Sequence, residues 1–242
     1  MGGRNWWALP CVLVMTSVLH ADDKPWQVLL GPGRGLEAWQ EPTGDWQQVG
    51  GLKLDADNPR LFVAEPGEGI WYNGPKGRTR DLLSKTKFGD IEAHVEFLIP
   101  KGSNSGVKFQ GLYEIQIHDS HHVEKPDGTH CGGIYPRAEL LPRYHHIDKG
   151  IAPKVNAARP AGEWQTLDVI FQAPRFDADG KKTANARFVK VVLNGELIHD
   201  NVEVAYPTGH AWKRPEVLLG PLLLQADHGP VAFRNVRVRP YE

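Results

Sequence analysis

The sequence predicts an all-β fold: two antiparallel sheets packed face to face as a sandwich. Three observations predict it. Runs such as Ile91-Glu-Ala-His-Val-Glu-Phe97 and Tyr113-Glu-Ile-Gln-Ile-His118 alternate apolar and polar residues, which places successive side chains on opposite faces of a strand. Apolar residues at helical spacing are almost absent. Gly, Pro, Asn and Asp separate the runs at short intervals, the pattern of a sandwich or barrel. Packing two such sheets buries one parity of each strand and frees the other. Where a sheet curves, its freed polar face forms a concave groove.

The 242 residues, 40% hydrophobic and 24% charged, suffice for an ordinary hydrophobic core. A net charge of −1 makes neither nucleic acid nor an acidic membrane a natural partner. Residues 1–21 read as a secretory signal, with Arg4 as the positive region, 6–18 as the apolar region and Leu19-His20-Ala21 as the cleavage site. That apolar run is too short to span a bilayer, and no later stretch is apolar enough to span one. The chain is therefore expected to be exported, to the periplasm or beyond. Cleavage removes Cys11 and leaves Cys131 alone, so no intramolecular disulfide is expected. Residues 22–242 carry no repeat or linker and read as one domain.

In chain order, residues 26–46 are aromatic and turn-rich, predicting short strands or a segment that covers a sheet edge. Strands are expected over 46–54 and 59–63. Residues 67–80 predict a glycine-rich loop presenting Trp71. In 90–99, Ile91, Ala93, Val95 and Phe97 share one face while Glu92, His94 and Glu96 share the other. A turn over 100–106 leads to the most informative stretch, 104–119. There Val107, Phe109, Tyr113, Ile115 and Ile117 take one parity, and Lys108, Gln110, Glu114, Gln116 and His118 the opposite one. The Glu92-His94-Glu96 strip is expected to complete a groove with this second row. Periodicity fails over 120–160; a long irregular insert of this kind is usually functional or mobile. Strands resume over 164–172, 186–193 and 196–199, with Asn194-Gly195 as a strong hairpin signal. Runs at 221–225 and 231–238 close the domain.

The Glu114-Gln116-His118 row, ending at Asp119, is more chemical than the Lys, Thr and Ser of a merely solvated face. It suits either catalysis or the binding of a polar ligand. A mechanism with two paired carboxylates is disfavoured, because Gln116 stands mid-row and Glu114 and Asp119 have different parities. Six of the eleven histidines lie between His118 and His146. With Asp119, residues His121 and His122 are candidate ligands for a divalent metal. Trp71 and Tyr135 are candidate platforms for stacking against a ligand, whereas Trp164 is expected in the core. His228, at a turn after an apolar run, can reach the groove, and Asp227 beside it can equally cap the turn.

The motifs LLSKTKFGDIEAHVEF, NSGV, YEIQIHDS, GGIYP, PAGEWQTLDVIF, VLNGELIHD and LLLQADHGPVAFRNVRV occur in this order over roughly residues 26–240. Together they resemble the 3-keto-disaccharide hydrolase family, exported bacterial domains with a concanavalin-like lectin/glucanase sandwich. Lys108 and Gln110 depart from the hydrophobic residue and arginine common in that family, which bears on substrate specificity. The resemblance implies a jelly-roll topology and a carbohydrate substrate, a 3-keto-disaccharide or glycoside. It also implies a chemistry. A ketone at C3 acidifies the proton at C2; a base removes it, the substituent at C1 leaves, and water can then add. This needs one base and one electrophile near the keto oxygen. Glu114 or His118 is the implied base, and Lys85 or a metal the implied electrophile. Asn104, Ser105, Lys108, Gln110 and Gln116, with Trp71, Tyr135 and His228, are the implied substrate contacts. A non-catalytic lectin-like domain and an ordinary glucanase-type glycosidase are the alternatives.

Overall fold

A computed structural model describes residues 24–241; the expected signal segment and Cys11 lie outside the described residues. The first strands are β1 (Gln27–Leu30), β2 (Gln47–Leu54), β3 (Phe62–Tyr72), β4 (Leu82–Phe88) and β5 (Ile91–Leu98). A hairpin of β6 (Asn104–Phe109) and β7 (Tyr113–His118) follows, then the short pair β8 (Ala138–Glu139) and β9 (His145–His146). Next come β10 (Gln165–Gln172), β11 (Arg175–Phe176), β12 (Lys182–Ala184), β13 (Ala186–Leu193) and β14 (Glu196–Val204). A 3-10 turn at His210–Lys213, β15 (Gly220–Leu224) and β16 (Ala232–Pro240) complete the chain. The larger sheet runs β14-β13-β10-β5-β16-β3-β2, with β1 also on β16, and the smaller runs β4-β15-β6-β7. This is the antiparallel two-sheet sandwich that the alternation predicts.

The core lies between the two sheets, and the predicted apolar parity fills it. Val107, Phe109, Tyr113, Ile115 and Ile117 of the smaller sheet are all fully buried. They meet Phe171 and Phe188 of the larger sheet: Phe109 stacks on Phe171 at 5.1 Å between ring centroids and meets Phe188 edge-on at 5.5 Å. Tyr113 lies 5.4 Å from Phe171. Offset and edge-to-face pairs add to the area they bury. Phe171→Ala is expected to cost about 3–5 kcal/mol, read as a lower urea midpoint with an unchanged slope.

Both edges of the smaller sheet are covered by irregular chain. Along β4, Gln40 donates its N–H to the Leu83 carbonyl and Lys85 to that of Ala38, each at 2.8 Å. Along β7, Gln116 N–H reaches Gly133 O at 2.9 Å, Gly132 N–H reaches Gln116 O at 2.8 Å, and Tyr135 N–H reaches Glu114 O at 3.1 Å. Strand edges carry polar groups that must be paired or hydrated. The aperiodic segment 120–160 thus supplies an extra row on β7. The Asn194-Gly195 hairpin joins β13 to β14 with positive φ at both residues, 54° and 89°, the two-residue turn that this pair favours.

Two expectations are corrected. The Glu92-His94-Glu96 strip does not complete a groove with β6 and β7, because β5 pairs with β10 and β16 in the larger sheet. Its side chains are partnered there: Glu96 with Arg234 at 2.6 Å, Glu92 with Arg239 at 2.6 Å, and His94 Nδ1 with Asp168 at 2.6 Å. The glycine-rich stretch from Gly67 is not a loop until after Tyr72; β3 continues through it, pairing with β2 and β16.

Candidate functional site

The polar face of the smaller sheet is built by register. Asn104 stands opposite His118, Gly106 opposite Gln116, and Lys108 opposite Glu114 across the β6–β7 ladder. Beyond β6, Leu223 of β15 faces Lys108 and also pairs with Leu83 of β4. Over this face lies a cavity of about 520 Å³, solvent included, lined by Asp81, Asn104, Lys108, Glu114, Gln116, Tyr135, Tyr144, Gly209, His210, Gln225, Asp227 and His228.

Glu114 is its centre. The residue is 3% exposed, and the Lys108 ammonium stands 3.4 Å from its Oε2. Burial pushes the Glu114 carboxyl above the ordinary carboxylate range; Lys108 opposes this and Asp81 adds to it. Room for the carboxylate comes from Gly106. A Cβ there would lie 2.2 Å from Glu114 Oε1 and 2.9 Å from its carboxyl carbon. This glycine serves close approach, not backbone twist. Next in the row, Gln116 is 2% exposed and its Oε1 has no protein partner, leaving a buried acceptor for a donor from outside.

The rim comes from distant segments. Asp81 accepts the Ala226 N–H at 2.8 Å, and burial is the main reason its carboxyl is raised. His228 Nδ1 makes a short contact with the Asp227 carboxylate. That bond raises the imidazole and lowers the carboxyl, so the pair favours imidazolium and carboxylate. His210 is lowered by burial first and by Lys108 second. Opposite, the Tyr135 hydroxyl sits 3.0 Å from both Tyr144 O and His146 Nε2, and burial with the Tyr144 bond raises it.

Of the residues singled out from sequence, Asn104, Lys108, Glu114, Gln116, Tyr135 and His228 line this cavity. Others do not. Lys85 points its ammonium to the Glu37 carbonyl at 2.8 Å. Ser105 has the inward parity, is fully buried and donates to Gln225 O at 2.7 Å. Gln110 lies past the end of β6 with φ 55°, and its amide donates to Leu218 O at 3.0 Å. Trp71 is held in β3 of the other sheet and donates to Arg34 O at 3.2 Å. His118 ends β7 with its ring 6.1 Å from that of His130; burial lowers it most, and its Nδ1 has no protein partner. The proposed metal ligands are engaged elsewhere: Asp119 accepts Gly102 N–H at 2.8 Å, and His121 Nδ1 bonds Ala158 O at 2.9 Å. Among the described residues no group of three or more His, Cys, Asp or Glu side chains is placed to hold a metal ion, His122 included.

Asp81, Tyr144, His210 and Gln225 were not among the sequence candidates. Parity could have found two of them. Gln225 continues the outward parity of Leu223, and Asp81 that of Leu83. Tyr144 lies in irregular chain and His210 opens the 3-10 turn, and neither carries a periodic signal.

Residues 25–239 match the 3-keto-alpha-glucoside-1,2-lyase-like domain family. The chain is similar to a proposed glycosyl hydrolase from Parabacteroides distasonis ATCC 8503, with 26% identity, a TM-score of 0.62 and coverage of 89% of this chain and 84% of that one. A second protein of the same description and organism aligns at 19% identity with a TM-score of 0.54, covering 90% and 100% of the two chains. A third aligns at 14% identity and 0.55, covering 92% and 96%; the last two likenesses are of fold. No curated protein is significantly similar to the chain. Together these make it a carbohydrate-active domain, enzyme or binder.

Proposed function

Because the chain belongs to the 3-keto-alpha-glucoside-1,2-lyase-like family, we propose that it cleaves 3-keto-glycosides by removing the proton at C2 of the oxidised ring. One observation carries this reading: a single buried carboxylate, Glu114, faces an ammonium, Lys108, across 3.4 Å. The proton to be removed and the keto oxygen to be polarised sit on adjacent atoms of one ring, so base and electrophile must be close neighbours. Glu114 takes the C2 proton, and the C–H electron pair passes into an enolate whose oxygen meets Lys108. Collapse of the enolate forms C1=C2 and restores C3=O while the C1–O bond breaks. The leaving oxygen keeps that electron pair and takes a proton from the His228 imidazolium, which Asp227 holds charged. Water added across C1=C2 converts elimination into net hydrolysis. Gln116 and Asn104 are suited to ring hydroxyls. The leader-like composition of residues 1–21 supports export to the periplasm or medium as part of this proposal.

The test uses one glycoside in two forms, oxidised at C3 or not. Release of the leaving alcohol is expected from the oxidised form alone. Release from the unoxidised form points instead to an ordinary glycosidase, and binding of both without release to a lectin-like domain; either result sinks the proposal.

A further inference from the structure

We infer that Tyr135, backed by His146, takes the proton of the water that adds at C1, so that cleavage and hydration share one site. This rests on the cleavage reading above and supplies the group for its second half. Position comes from the row that residues 132–135 add to β7. Tyr135 donates its N–H to Glu114 O at 3.1 Å, and Ile134 bridges Ile115 in antiparallel sense. Ile115 and Ile134 are both buried in the core, so their chain neighbours Glu114 and Tyr135 share the outward face. Lys108 stands on the other flank of Glu114, and neighbouring backbones in such a row lie about 4.8 Å apart. With C2 over Glu114 and the C3 oxygen at Lys108, C1 lies on the side away from Lys108, toward Tyr135.

The hydroxyl is placed to pass a proton outward. Tyr135 and Tyr144 line the cavity, and His146 stands behind them, exposed to solvent. The Tyr135 oxygen lies 3.0 Å from His146 Nε2 and 3.0 Å from the Tyr144 oxygen. When Tyr135 donates to Nε2 and accepts from Tyr144, one lone pair is left for water. The phenol is held above its ordinary range by burial and by the Tyr144 bond, so it acts as a hydroxyl and not as a phenolate. As the water oxygen bonds to C1, its proton passes to the Tyr135 oxygen and the Tyr135 proton to Nε2. The C1=C2 electron pair moves into an enolate at Lys108, and Glu114 returns its proton to C2. His146 then loses a proton to solvent, and His228 regains the one it gave to the alcohol. His228 stands on the other flank of the hairpin: Gln225, which it meets at 3.2 Å, bonds Gly106 O of β6. C1 is planar in the unsaturated intermediate, so alcohol leaves toward one pair and water enters from the other.

The test follows both products of one 3-keto-glycoside, the alcohol and the sugar, by NMR. Wild type is expected to release the alcohol and the hydrated 3-keto sugar together. Tyr135→Phe and His146→Gln should each slow hydration about 10²-fold, and slow alcohol release at least about tenfold less, so that unsaturated 3-keto sugar accumulates. Supplied directly with that unsaturated sugar, both variants should hydrate it slowly relative to wild type. Equal loss of release and hydration, which a packing role would give, overturns the inference. So does an unchanged product ratio, which would make His228 the acceptor of the water proton, and so does unsaturated sugar as the sole product of wild type. Absence of alcohol release from wild type would instead sink the cleavage reading, and hydration of the supplied unsaturated sugar would still decide the role of Tyr135 and His146.

Discussion

Glu114→Gln is expected to lower turnover of a 3-keto-glycoside by about 10²–10⁴-fold, the usual contribution of a positioned general base. The amide keeps the shape of the carboxylate above Gly106 and can still accept from Lys108, but it cannot take a proton from carbon. Binding of the oxidised sugar should survive, which separates loss of chemistry from loss of the site. The same variant has a stability signature. Burial raises the Glu114 carboxyl in the folded chain, so the native state holds its proton to higher pH than the unfolded chain does. Its contribution is fully present below the unfolded-state value and is lost as pH rises through the folded one. Gln does not titrate. The melting temperature of Glu114→Gln minus that of wild type should therefore grow in favour of the variant as pH rises through that window. Calorimetric scans across pH check this; a flat difference, or full turnover by the variant, would refute the assignment.

Gly106→Ala is expected to reduce kcat by about a hundredfold, the cost that a shift near 1 Å can exact on a reacting group. The added methyl group would sit 2.2 Å from Glu114 Oε1, 2.9 Å from its carboxyl carbon and 3.0 Å from Cγ. Rotating the carboxyl group relieves only the first contact; relieving the others shifts the side chain and carries the carboxylate from its place beside Lys108. Strain in a packed site also costs about 1–3 kcal/mol, so a modest fall in melting temperature should accompany the kinetic loss. Gly106→Ser should behave alike. A fall in stability with unchanged kcat would show that the carboxylate is not held by this contact.

Much of the architecture was legible because it rests on parity. Strands β5, β6, β7, β10 and β13 announce themselves by alternation, and the same rule set Glu114, Gln116 and Lys108 on one face. Applied strictly, it would also have excluded Ser105, whose odd number puts it with Val107 and Phe109. Alternation identifies a strand's two faces but not the sheet it joins. Glu92, His94 and Glu96 are as polar as the β7 row, yet β5 pairs through residues far away in the chain, Thr166 and Arg234 among them. Lys85 entered through the family resemblance alone, and its ammonium is turned to the Glu37 carbonyl, beside the segment that covers the β4 edge. The histidine-rich segment looked like a ligand set by composition, but backbone pairing and local carbonyls spread its side chains apart. Tyr144 and His210 depend on loop paths that no short-range pattern encodes.

The covering of both edges of the smaller sheet has a consequence for the reaction proposed above. Every strand that carries a central site residue is hydrogen-bonded on both flanks: β4 by 38–40 and β15, β15 and β6 by their neighbours, and β7 by β6 and 132–135. Base, ammonium and hydroxyl acceptor thus hang from backbone that cannot fray one strand at a time. Their dipoles are oriented before substrate arrives, and little of the activation barrier need go to reorganising the protein as charge migrates onto the keto oxygen. Adaptation to different substrates is left to the rim, where Asp81, Tyr144, His210 and His228 stand on turns and irregular chain.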